Sequence, residues 1–179
     1  SGAVKGNQVQ SNHPGVQAVA DFPWTVSPQI DTYYGELLLL DVYTQLHNSA
    51  YWDNTLLIVV YDEHGGCYDH VHPVTTMVPP TTTTPTTYVG FDFTWSGPRV
   101  PALIISPFAG PGTTLRAQSG QVFDHTSIIK TLWDCFGLAS GPNGAPSLND
   151  RDAAAASVIP GLSDTAVNDT GIPPTPSHP

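Results

Sequence analysis

The chain has 179 residues, with five Lys and Arg against fifteen Asp and Glu, and therefore a formal charge of −10. Only 11% of residues are charged while 40% are hydrophobic, and 16 Gly and 18 Pro accompany them, which is too apolar for a wholly disordered chain and too loop-rich for a helical bundle. Five scattered cations argue against a nucleic-acid surface, and no apolar run approaches the roughly eighteen residues of a membrane span.

Residues 1–30 are polar and interrupted by Pro14, Pro23 and Pro28, which predicts irregular structure. Ser1 is not an initiator and nothing after it resembles a signal peptide, so the chain reads as beginning inside a longer gene product. A helix is predicted from Thr32 to Asn48. Leu37, Leu40, Tyr43 (or Val42) and Leu46 (or His47) recur at helical spacing, Asp31 is placed to cap the start, and Leu38 and Leu39 widen the apolar face as for packing on a sheet. After a turn at Trp52–Thr55, the run Leu56–Tyr61 is continuously apolar and predicts a strand buried on both faces. It stops abruptly at Asp62-Glu63-His64-Gly65-Gly66.

Residues 73–98 form a long Thr/Pro-rich loop, expected to be extended and solvated and, outside a cell, open to O-glycosylation. A second buried strand is predicted at Val100–Ser106, between Gly97-Pro98-Arg99 and Pro107. Asp124 or Thr126 then caps a helix to about Phe136, stopped by Gly137, with Ile128, Ile129, Leu132, Trp133 and Phe136 as its buried face. A short Ala-rich helix is expected near Asp150–Ser157, and an extended tail beyond Pro160. This order predicts the α/β class, as part of a three-layer sandwich. Cys67 and Cys135 make no disulfide framework, and Cys135 is expected to be a buried free thiol. Low Lys, abundant Thr and Pro, and the sequon Asn168-Asp169-Thr170 lean toward a secreted, extracellular setting.

Chemistry concentrates in one place. Residues 62–72 hold three carboxylates (Asp62, Glu63, Asp69) and three imidazoles (His64, His70, His72), directly after the first predicted strand. Ligands of open α/β sheets bind beyond the carboxyl ends of strands, where Asp62 and Glu63 fall. Adjacent carboxylates are costly to bury unless a cation neutralises them. Oxygen ligands suit Ca²⁺, Mg²⁺ or Mn²⁺, and added imidazole admits Fe or Zn. Gly65-Gly66 removes side chains where another group approaches. The bland alternative is a polar loop with solvated histidines in which Asp69 caps a turn.

Tyr61-Asp62-Glu63-His64-Gly65-Gly66-x-Tyr68-Asp69-His70-Val71-x-Pro73 resembles the signature of the bacterial and fungal phosphoesterase family, which includes phospholipases C and acid phosphatases. Asn12-His13-Pro14, Trp52-x-Asn54-Thr55-Leu56-Leu57-Ile58, Gly97–Pro107 and Phe123-Asp124-His125-Thr126-Ser127-Ile128 are similar to further stretches of that family in the same order. The resemblance spans roughly residues 12–152. It implies an alkaline-phosphatase-like α/β fold: a three-layer sandwich with a largely parallel central sheet. Residues 1–160 would be its C-terminal portion, with 161–179 the extended tail. It also implies that Asp62 and Glu63 bind a catalytic divalent metal, and that His13 sits in the pocket for the phosphate or the leaving group. His64 and His70 are implied as hydrogen-bond donors to phosphate or as proton carriers, with a loop-orienting role open for His70. His125 and Asp69 are implied as support behind the metal loop, a phosphate role for His125 remaining open. Arg99 is expected to anchor a loop carboxylate, Asp124 to cap its helix, and His72 and His178 to lie at the surface.

Two departures stand out. Cys67 replaces an aromatic residue, and the family's Glu-Asn pair and its Ser or Thr nucleophile find no counterpart here. The expectation is therefore a metal-dependent phosphoesterase acting on phosphomonoesters, phosphodiesters or phospholipids, with this chain supplying late metal ligands and pocket histidines. An upstream segment or second chain would supply the nucleophile. The competing expectation is a non-catalytic extracellular structural or assembly protein that reuses the fold.

Overall fold

The structure, a computed structural model, describes residues 32–81, 87–118, 120–138, 147–167 and 171–177. His13, the Asp31 cap, the sequon at Asn168 and His178 lie outside the described residues. The described residues fall into two units, one of 32–55, 65–67 and 171–177, and one drawn from 56–64 and 68–167.

In the first unit, helix α1 runs Tyr33–His47, flanked by Thr32 and Asn48, one residue inside the predicted span at each end. Leu37, Leu40, Tyr43 and Leu46 are half-buried, whereas Leu38 and Val42 are exposed. The last turn carries an aromatic cluster. Tyr43 and His47, one helical turn apart, have ring centroids separated by 5.5 Å, and Trp52 lies 5.6 Å and 4.9 Å from them. A 3₁₀ turn, Trp52–Asn54, presents that indole. The Tyr43 hydroxyl donates to the Gly171 carbonyl at 3.5 Å.

In the second unit, β1 (Leu57–Val60) pairs antiparallel with β2 (Ala102–Ile105), with Leu57 opposite Ile105 and Val60 opposite Ala102. The mixed α/β class is therefore present. The pair itself is antiparallel, where a largely parallel sheet is expected, because β2 returns alongside β1 after a long loop rather than after a crossover helix. Burial also differs from expectation. All four β1 residues are half-buried and Ala102 and Leu103 are exposed, since a two-stranded sheet covers an apolar strand incompletely.

Helix α2 runs Thr126–Phe136 and ends at Gly137, whose φ of 57° is the left-handed conformation that stops a helix. Its buried residues are Ser127 and Thr131; Leu132 and Phe136, assigned to the buried face from spacing, are exposed. The reason is a polar seam. Thr131 donates to the Ser127 carbonyl at 2.7 Å and its hydroxyl accepts the Val158 amide at 3.1 Å, which draws buried Ala156 and Val158 against this face. Cys135 is exposed, correcting the expected buried thiol, and Cys67 is also exposed and unpaired.

Helix α3 is Asp150–Ala154, shorter than predicted. Asn149 accepts the Arg151 and Asp152 amides, and buried Asp152 accepts the Asn149 amide in return. Beyond it, Ala155 is already extended. The tail is tied back: Ser163 and Val167 amides donate to the Phe108 and Pro107 carbonyls, both at 2.8 Å.

Candidate active site

The Tyr61 amide donates to the Pro101 carbonyl at 3.2 Å, carrying the β1–β2 pairing one residue further. The Tyr61 carbonyl is held by His125 Nε2 at 2.9 Å. A carbonyl only accepts, so Nε2 is the donor of this bond. His125 is held in turn by the start of α2. Asp124 Oδ1 accepts the Thr126 amide at 2.8 Å and its hydroxyl at 2.5 Å, while the Asp124 amide donates to Ser127 Oγ at 3.1 Å. Asp124 Oδ2 takes Arg151 Nε at 3.1 Å, joining α2 to α3.

Asp62 and Glu63 therefore leave a strand end pinned from both sides of the peptide at Tyr61. Both are exposed, and Asp62 Oδ1 accepts the Glu63 amide at 3.0 Å. His64 is half-buried with Nδ1 3.8 Å from Glu63 Oε2. The chain then turns through Gly65 and Gly66, at φ 65° and 75°, a conformation that favours glycine at both positions even though open space surrounds the Cβ position of Gly66.

Asp69 is the most heavily bonded carboxylate of the stretch. Its Oδ2 accepts the Arg99 amide at 2.9 Å and Nε at 3.0 Å; its Oδ1 accepts Arg99 Nη2 and the Val71 amide, each at 2.9 Å. Asp69 is thus the loop carboxylate expected for Arg99. The bidentate guanidinium, followed by the two amides, holds the Asp69 carboxyl well below the usual carboxylate range, and Asp69 in turn raises the Arg99 value. His70 Nδ1 is 3.9 Å from Asp69 Oδ1 on a largely exposed ring, and His72 is exposed.

The stretch brings Asp62, Glu63 and His64 together along the chain, and Asp69 and His70 form a second group held by Arg99. Among the described residues, no three His, Cys, Asp or Glu side chains converge into a group that could hold a metal ion. The donors that are present are oxygens of the kind a hard divalent cation takes, and they fit such an ion as two ligands of a larger set. Two features escaped the sequence reading. The Tyr61 carbonyl carries no side-chain signal, whereas the capping pair Asn149-x-x-Asp152 was legible as a helix start.

The sequence profile described as "Phosphoesterase family" matches residues 25–139, which is more than half of the chain. The chain belongs to the phosphoesterase family. It is 42% identical over 122 residues to "Non-specific phospholipase C3" of Arabidopsis thaliana, an overlap of 63% of this chain and 23% of that protein. It is 37% identical over 134 residues to "Non-specific phospholipase C6" of the same plant, covering 72% of this chain and 25% of the relative. With "Phospholipase C B" of Mycobacterium tuberculosis it shares 35% identity over 149 residues, 75% of this chain and 25% of that protein. The chain thus spans about a quarter of the length of the curated relatives it matches. No helix among the described residues is long and apolar enough to cross a membrane.

Proposed function

We propose that this protein is a metal-dependent, secreted phosphoesterase that cleaves phosphate esters of the phospholipid class, and that this chain carries the Asp62–Glu63 end of its active site. The observation that supports the reading most is the pinned strand end. A hydrogen-bonded Tyr61 peptide presents two adjacent carboxylates and His64 beyond β1, within a segment that the family profile spans. Asp62 and Glu63 would hold a divalent cation, which when bound supplies positive charge for the phosphoryl oxygens. His125 holds the carbonyl of the peptide before Asp62, which would support the backbone from which both carboxylates reach the cation. In this reading His64, with Glu63 beside it, and His70, beside Asp69, would donate to a phosphoryl oxygen or protonate the departing alkoxide. His13 joins them in this reading.

The nucleophilic Ser or Thr, the remaining metal ligands and the rest of a three-layer sheet belong, in this proposal, to the part of the relatives' length that this chain does not span. Half-buried β1, with apolar residues at every position, suits further strands beside it. The test is hydrolysis of p-nitrophenyl phosphorylcholine and of phosphatidylcholine by the protein and by its Asp62→Ala variant. The expected result is turnover that falls roughly 100-fold or more on substitution. Turnover unchanged by Asp62→Ala would remove the pair from the chemistry.

A further inference from the structure

Residues 73–91 contain no Asp, Glu, Lys, Arg or His, and Asp92 is the single charge between Pro73 and Pro98. The described parts of this loop are not simply extended as expected; they form a braced stem and an apolar turn at Tyr88–Phe91. The Asp69–Arg99 pair closes the base. Above it, the Ser96 amide donates to the Val74 carbonyl at 2.8 Å and the Met77 amide to the Thr94 carbonyl at 2.7 Å. Helix α3 holds both limbs: the Asp150 amide donates to the Pro80 carbonyl at 3.0 Å, and Arg151 Nη1 to the Phe93 carbonyl at 3.2 Å.

Between the two limbs, Tyr88 and Phe91 exchange backbone hydrogen bonds of 2.9 Å in both directions, so Val89 and Gly90 make a two-residue turn, the exposed tip of this small hairpin. Both have positive φ, 50° and 84°. That is ordinary for Gly90 and strained for a β-branched valine. The strained residue also has the most exposed of the turn's large apolar side chains. Val89 is 93% exposed, Tyr88 74% and Phe91 45%, with Trp95 at 55% further down the limb. Phe93 packs edge-on against Phe91, with centroids 5.1 Å apart, and stiffens the turn.

We infer that this tip is a membrane-docking element, which seats Val89 and the rings of Tyr88 and Phe91 in the interfacial layer of a phospholipid surface. Three properties point to lipid rather than to a protein groove or a second copy. The tip has no charge to desolvate, and the molecule's net charge of −10 offers no attraction to anionic headgroups, so insertion must be apolar and suits a zwitterionic surface. Tyr and Trp are the side chains that favour the boundary between headgroup and acyl chain. A braced stem loses little conformational freedom on insertion. The inference rests on the phospholipid reading for its purpose, since it would bring the enzyme to its substrate surface, but it is measurable without catalysis.

The experiment is flotation of the protein with phosphatidylcholine vesicles, together with quenching of Trp emission by bromine-labelled acyl chains. Wild type is expected to float and to be quenched, with Trp95→Phe removing most of the quenching. Val89→Asp should lower partitioning roughly tenfold. Val89→Asn, which tolerates positive φ and adds no charge, should retain the melting profile and lower partitioning severalfold. Phe136→Asp, on an exposed apolar residue elsewhere, should leave it unchanged. The inference is overturned if wild type ignores the vesicles, if Phe136→Asp reduces binding as much as Val89→Asp, or if Val89→Asp instead dissociates a dimer. Hydrolysis of soluble p-nitrophenyl phosphorylcholine separates the two readings. Vesicle binding without any hydrolysis would sink the phosphoesterase proposal alone, and hydrolysis without vesicle binding would sink the docking tip alone.

Discussion

His125 bonds a backbone carbonyl, and Asp69 bonds the guanidinium and amide of Arg99. His125 fixes one carbonyl, and because that carbonyl belongs to Tyr61 the bond sets the direction in which Asp62 and Glu63 leave β1. His125→Ala is expected to weaken divalent-metal affinity about 10–100-fold, whereas His125→Gln, which still offers an N–H, should recover part of it; calorimetric metal titration reads both. Asp69 gives a pH prediction with a definite sign. Its carboxyl is depressed in the folded state, so its stabilisation is fully present above the ordinary value of about 3.9 and is lost as pH falls through the lower folded value. Wild type and Asp69→Asn should therefore differ in melting temperature at neutral pH, with the gap narrowing progressively as pH falls below about 3.9, and a constant gap through that fall would contradict the assignment.

At the scale of elements, spacing rules located α1, β1, β2 and α2 to within one or two residues, because those segments announce themselves by long apolar runs or by a stop such as Gly137. What spacing did not give was the inward face of α2. Ile and Leu outnumber Ser127 and Thr131 there, yet the hydroxyl of Thr131 meets the Val158 amide, 27 residues further along the chain, and no local pattern encodes that partner. Thr131→Val should cost about 1–3 kcal/mol by leaving the buried Val158 amide without an acceptor. Asn149→Ala should cost about 1 kcal/mol through the lost α3 cap. Chemical denaturation measures both. The stem after β1 was partly legible: Phe91, Phe93 and Trp95 alternate with Asp92, Thr94 and Ser96, a strand-like pattern hidden by the Thr and Pro before it. The carboxylate-and-glycine loop was legible as composition, since Asp62, Glu63, Gly65 and Gly66 stand side by side, but its anchor was a carbonyl and left no mark in the sequence.

For the whole molecule, the apolar but incompletely covered β1, the carboxylates beyond it and the relatives four times longer than the matched span describe one situation. Among the described residues no three candidate ligands converge, so in the proposed reading this chain would supply a strand end with two donors and the rest of the relatives' length the others. Metal content measured on wild type, Asp62→Ala and Glu63→Gln tests that claim most directly. The expected result is one divalent ion per wild-type protein, lost in Asp62→Ala and weakened in Glu63→Gln. An ion retained equally by all three, or no ion together with ordered self-assembly, would contradict it.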